Sequence, residues 1–142
     1  MVVFVDGDLP CNVERRRNVK SWLASLAKRH NRTLGDVSIV SCSDEELLTY
    51  NRKYLDHDTY TDIITFDNTE GTTLSGDLLI SFDRVLENAQ NQGLGFQEEL
   101  RRVMAHGVLH LVGLKDKTPD DVLAMRQAED HALQMFHVEH PL

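Results

Sequence analysis

The chain has 142 residues, 41% hydrophobic and 27% charged, the composition of one soluble globular domain large enough to bury a core. No apolar run approaches the ~20 residues of a membrane span, and the opening Met1–Asp6 stretch lacks the basic and apolar regions of a secretory leader, so a cytoplasmic location is expected. The net charge of −8 argues weakly against a nucleic-acid partner; two cysteines, Cys11 and Cys42, do not make a disulfide framework, and the lack of a CxxC pair argues against cysteine-bound zinc.

In chain order, Val2–Val5 reads as a short strand. Val13 to Arg29 carries Val19, Trp22, Leu23, Leu26 and Ala27 at the i, i+3, i+4, i+7, i+8 spacing of an amphipathic helix. Val37–Ser41 is β-branched and reads as a strand that Cys42 continues as a small buried hydrophobe. Ser43 caps a helix with Asp44, Glu45 and Glu46 in its first turn, running to about Lys53. Asp62–Phe66 is a strand, Asp67–Thr73 a loop, Leu74–Ser81 a strand and Phe82–Asn91 a helix. Gly93 and Gly95 interrupt the chain before a helix from Gln97 to Leu111. Thr118, Pro119, Asp120 and Asp121 open a last helix that runs to about Phe136. No repeat or linker divides the chain, so residues 1–142 are expected to form one α/β (α+β) domain, with a small mixed four-stranded sheet packed against about five helices.

Charge is unevenly spread. Val13 to Arg32 holds seven basic residues and one acidic residue, whereas Asp44 to Glu70 holds eight acidic and two basic. The basic run is either a binding strip or the solvated face of the first helix.

The most specific chemistry lies in His106-Gly107-Val108-Leu109-His110, followed by Gly113 and Asp116. Histidines four apart share one helix face. Gly113 suits the left-handed residue that ends the helix, letting Asp116 return toward the pair. Two imidazoles and one carboxylate with an open fourth position are the ligand set of a catalytic zinc or similar ion. The competing reading is a chance pair on a surface helix, and the apolar run around His110 weighs against it. The spacing is that of the HExxH metalloproteases, but Gly107 stands where their glutamate base belongs. A ligating imidazole needs an acceptor for its second N–H, and Glu129 and Glu99 are the candidates. His131, His137 and His140 are expected at the surface or in the tail.

The His106–Gly113 segment resembles the signature H-G-x-L-H-L-x-G-x-D-H of the YbeY family of bacterial metal-dependent endoribonucleases. Thr61-Asp62-Ile63-Ile64-Thr65-Phe66 is similar to its T-D-V-L-S-F, and Gly76-Asp77-Leu78-Leu79-Ile80-Ser81 to its G-D-I-x-I-S. Asn51-Arg52-Lys53-Tyr54-Leu55 is similar to a segment that precedes them. The resemblance implies His106, His110 and Asp116 as metal ligands. Asp116 replaces the third histidine and Lys115 the aspartate before it, and a carboxylate there shifts preference toward harder ions. Near Leu55 the family commonly has an arginine that bears on RNA cleavage, with Arg52, Lys53 or His57 as candidate substitutes here.

The implied activity is single-strand-specific, metal-dependent RNA cleavage in small-subunit ribosomal RNA maturation and ribosome quality control. Zn2+ is the expected cofactor, and RNA and ribosomal components are the expected partners. Arg15, Arg16 and Lys20 on the basic helix are the candidate RNA contacts. Arg102, one turn before His106, is either a phosphate contact or an ordinary surface arginine. The alternatives are a non-catalytic ribosome assembly factor with a structural metal, and a metal-dependent hydrolase of another substrate such as a peptide.

Overall fold

The β-branched runs become strands and the amphipathic runs become helices in the computed structural model, which describes residues 1–141. In chain order the elements are β1 (Val2–Asp6), α1 (Arg16–Arg29), β2 (Thr33–Cys42), α2 (Asp44–Leu55), β3 (Ile63–Asp67), β4 (Thr73–Ser81), α3 (Phe82–Gln92), α4 (Phe96–Val112) and α5 (Pro119–Glu139). Five helices and four strands therefore match the expected α/β architecture. The sheet order is β1-β2-β4-β3. β1, β2 and β4 run parallel, and β3 lies antiparallel to β4 at one edge.

The period of two along β4 divides its side chains between two cores. Leu78 and Ile80 join the main core with Trp22, Leu26, Leu100, Met104, Val108 and Phe136, all fully buried. Leu79 faces the other way, with Cys42, Leu47 and Ile64 under α2. Trp22 of α1 donates its indole N–H to the Ala132 carbonyl of α5 at 2.7 Å and meets the Phe136 ring edge-on at 5.3 Å. Both cysteines are free and buried.

Three boundaries differ from the sequence reading by three residues or more. α1 begins at Arg16 rather than Val13, because Arg15 takes a left-handed backbone and the Cys11 and Val13 side chains turn into the core. β2 begins at Thr33 rather than Val37, with a register irregularity between Leu34 and Val37 that keeps its polar first half paired with β4. α5 continues past Phe136 to Glu139. No helix among the described residues is long and apolar enough to cross a membrane.

α4 lies against β3 and β4 with little space between them. A Cβ on Gly107 would stand 2.9 Å from Ile63 Cδ1 and from both terminal carbons of Leu78. Gly107 is thus packed against the sheet, and a larger side chain there would have to displace the ends of Ile63 and Leu78.

Candidate metal centre

Gly113 ends α4 with φ 121°, a backbone that favours glycine. Its N–H reaches the His110 carbonyl at 3.0 Å, and the Leu114 N–H reaches the Leu109 carbonyl at 3.0 Å. The reversal sends residues 114–118 back over the last turn of α4. Asp116 Oδ2 thereby lies 3.4 Å from His106 Nε2 and 3.3 Å from His110 Nε2. One donor atom from each of the three residues falls within 4.8 Å of the others. Ligands at 2.0–2.2 Å in tetrahedral array stand ~3.4 Å apart, so Asp116 lies from each imidazole at the separation of two ligands on one zinc-sized ion.

The other side of each imidazole fixes its tautomer. His110 Nδ1 lies 2.9 Å from the Leu114 carbonyl, which can only accept, so Nδ1 carries the proton. His106 Nδ1 lies 2.7 Å from Glu129 Oε2 on α5. Both Nε2 lone pairs are then directed at the cluster when the rings are neutral. Burial alone pushes the His106 pKa down. The hydrogen bond and charge of Glu129, with the carboxylates of Asp62 and Asp116, outweigh burial and hold it above its ordinary value. Burial raises Glu129 in turn, but its hydrogen bonds and charge contacts with His106 and Arg102 leave its pKa below the ordinary carboxylate value.

Arg102 is not positioned as the phosphate contact considered from the sequence. Its guanidinium pairs with Glu99 on one side and with Glu129 Oε1, at 3.0 Å, on the other. Only 16% of the side chain is exposed, because two buried carboxylates draw it inward between α4 and α5. Glu99, the other candidate partner for a histidine, is committed to Arg102 instead. Of the two glutamates, Glu129 is the one that the fold brings to His106.

The triad opens onto a pocket whose walls include Leu55 from the end of α2, Thr61 and Asp62 before β3, Thr65 and Asp67 on β3, and Lys117 beyond Asp116. The departure at Leu55 therefore falls at the site itself. Arg52, Lys53 and His57 do not line this pocket. Arg52 pairs with Asp58, and Lys53 rests on the Tyr54 ring. Asp62 and Lys117 were not singled out in the sequence, although Asp62 opens the block before β3 and Lys117 adjoins Asp116.

The basic strip lies elsewhere. Arg16 and Lys20 stack over Phe4 of β1. That strand forms the sheet edge opposite β3, three strand spacings or about 14 Å away. Arg16 also donates to the Cys11 and Val13 carbonyls, and Arg15 to the His140 carbonyl at 2.7 Å while its guanidinium covers Phe136. The fold does not bring Arg15, Arg16 or Lys20 to the pocket around His106, His110 and Asp116.

A mixed sheet covered by helices, with two histidines of one helix and a carboxylate from the following turn converging on an open pocket, defines an α/β protein whose pocket carries the donor set of a hydrolase-type metal site. The family model described as Endoribonuclease YbeY matches residues 8–137. A Christiangramia forsetii protein named Endoribonuclease YbeY is 46% identical over 136 residues, covering 96% of this chain and 94% of that protein. A Porphyromonas gingivalis protein of the same name is 50% identical over 122 residues, covering 86% and 81%. A Thermotoga maritima protein solved in solution shares the fold with a TM-score of 0.70 at 22% identity, covering 98% and 91% of the two chains. The chain belongs to the endoribonuclease YbeY family.

Proposed function

We propose that this protein is a metal-dependent endoribonuclease that cuts single-stranded RNA, acting in the cytoplasm on small-subunit ribosomal RNA and in ribosome quality control, with ribosomal components as partners. The observation that carries this reading is the convergence of His106, His110 and Asp116 on one open pocket in a chain of this family. The donor set and its spacing fit one divalent ion, and we assign zinc because two nitrogens and one oxygen at this separation suit it. When bound, such an ion supplies a Lewis acid that polarises a phosphoryl oxygen and acidifies water near it.

The chain's own residues do the rest. Glu129 and the Leu114 carbonyl hold the two imidazoles in one orientation and one tautomer. The two histidine side chains are 21% and 26% exposed and Asp116 is 46% exposed, which leaves one side of the triad open to an entering phosphodiester. Asp62 is the carboxylate on the pocket wall that accompanies the triad, and its charge helps keep the His106 proton in place in the free protein. A peptidase reading lacks a base, since Gly107 occupies the glutamate position, packed against the ends of Ile63 and Leu78.

The test incubates the zinc-loaded protein with single-stranded and duplex RNA of one sequence, with and without a chelator. Cleavage of the single strand alone, abolished by chelation, is the expected result. Cleavage indifferent to the chelator overturns the reading.

A further inference from the structure

The pocket around the triad is lined by three carboxylates, Asp62, Asp67 and Asp116, and by a single Lys or Arg among the described residues, Lys117. An RNA phosphodiester carries a negative charge and must approach these carboxylates. A divalent ion offsets two of their charges, and the third still repels the substrate unless a cation stands beside it. The neighbouring arginines are already engaged: Arg52 with Asp58, Arg84 with Asp44 and Glu87, and Arg102 with Glu99 and Glu129. Lys117 has no ion-pair partner among the described residues and is exposed.

Its backbone is nevertheless held on both sides. Asp116 before it is the third ligand. Thr118 after it is the N-cap of α5, its hydroxyl accepting the Asp121 N–H at 3.1 Å while the Asp121 carboxylate accepts the Thr118 N–H at 3.3 Å. A fixed Cα with a free four-carbon stem beside the metal centre is the arrangement of a point-charge phosphate anchor.

Resting on the reading that RNA enters this pocket, we infer that Lys117 binds the substrate phosphate next to the metal triad and supplies the cation that the pocket otherwise lacks. Lys115 provides the matched control. It is also exposed and equally close in sequence to Asp116, but it does not line the pocket.

The experiment compares zinc-loaded wild type with Lys117→Ala, Lys117→Arg and Lys115→Ala. It measures kcat/KM on a single-stranded oligoribonucleotide, anisotropy of a labelled phosphorothioate oligoribonucleotide, and zinc content. Lys117→Ala is expected to lose about tenfold in both affinity and kcat/KM, the size of one charge-assisted contact. Its log–log salt slope should become shallower by about 0.7, the release of one single-strand counterion. Lys117→Arg should recover most of the loss, Lys115→Ala should stay within about twofold of wild type, and zinc content should be unchanged throughout. Equal effects of Lys117→Ala and Lys115→Ala, or none from either, overturn the anchor while leaving the nuclease reading intact. A wild type that neither binds nor cleaves overturns the nuclease reading and the anchor with it.

Discussion

Glu129 on α5 grips His106 on α4, with its Oε2 2.7 Å from the ring Nδ1 and its Oε1 3.0 Å from the Arg102 guanidinium. This contact makes the last helix part of the candidate metal centre although it contributes none of the three converging donors. Glu99, Arg102, Glu129 and His106 form one continuous chain of charge from the buried side of α4 to the ligand cluster.

Glu129→Gln keeps an acceptor for the His106 N–H but removes the negative charge that strengthens the ring as a donor to metal. Zinc affinity should fall about 10–100-fold, as measured by competition with a chromophoric chelator. Unchanged affinity would show that the Glu129 charge does not support the site.

Arg102→Ala leaves Glu99, fully buried, without its cation, and Glu129, nearly so, with only His106 and the more distant Arg126 at 3.9 Å. Stability in chemical denaturation should drop by about 3–5 kcal/mol, the usual result of breaking a buried pair on one side. An arginine that served RNA instead would weaken RNA binding and leave the denaturation midpoint in place.

The order of elements was legible in the sequence because its punctuation is local. Ser43 caps α2 by accepting the Glu46 N–H, Thr118 and Pro119 start α5, and Gly113 ends α4. The convergence of His106, His110 and Asp116 was legible for the same reason, since the two histidines lie one helical turn apart and Asp116 one reversal away. The roles of Arg102 and the basic helix were not. Helical spacing puts Arg102 on the His106 side of α4, but which partner it meets depends on α5 packing alongside, a contact separated by 27 residues of chain. Arg15 and Arg16 read as a solvent-facing strip, yet carbonyls near Cys11 and His140 and the rings of Phe4 and Phe136 take up their guanidinium groups. Only the strand order shows that this strip and the pocket occupy opposite edges of the sheet.

The metal-free protein should show a pH dependence set by the Glu129–His106 pair. His106 has a folded pKa above its ordinary 6.5, so its contribution is fully present below 6.5 and is lost as pH rises through the folded value. Glu129 has a folded pKa below its ordinary 4.5, so its contribution is present above 4.5 and is lost as pH falls through the folded value. Together they stabilise the apoprotein most between about pH 4.5 and 6.5. Zinc binding has the opposite trend on the acid side, because it displaces a proton from His106. Its affinity should fall by about tenfold per pH unit below the folded pKa. Thermal melts across this range with and without zinc check both signs, and a chelated protein that gains stability from pH 6 to 8 contradicts them.

Asp116 replaces an imidazole of the family signature with a carboxylate, and its Oδ2 sits within 3.4 Å of both Nε2 atoms. Asp116→Ala should lose zinc by at least about tenfold, while Asp116→His should retain zinc and bind manganese less well than wild type. Metal analysis of the purified variants reads this directly. Full zinc in Asp116→Ala would remove Asp116 from the ligand set.

The central claim is that RNA is cut at the metal held by His106, His110 and Asp116. Cleavage of a single-stranded oligoribonucleotide by zinc-loaded wild type and by His110→Ala, both purified free of contaminating nuclease, tests it most directly. A loss of roughly a hundredfold or more in His110→Ala, together with loss of bound zinc, is the predicted result. Equal cleavage by the two proteins would contradict it.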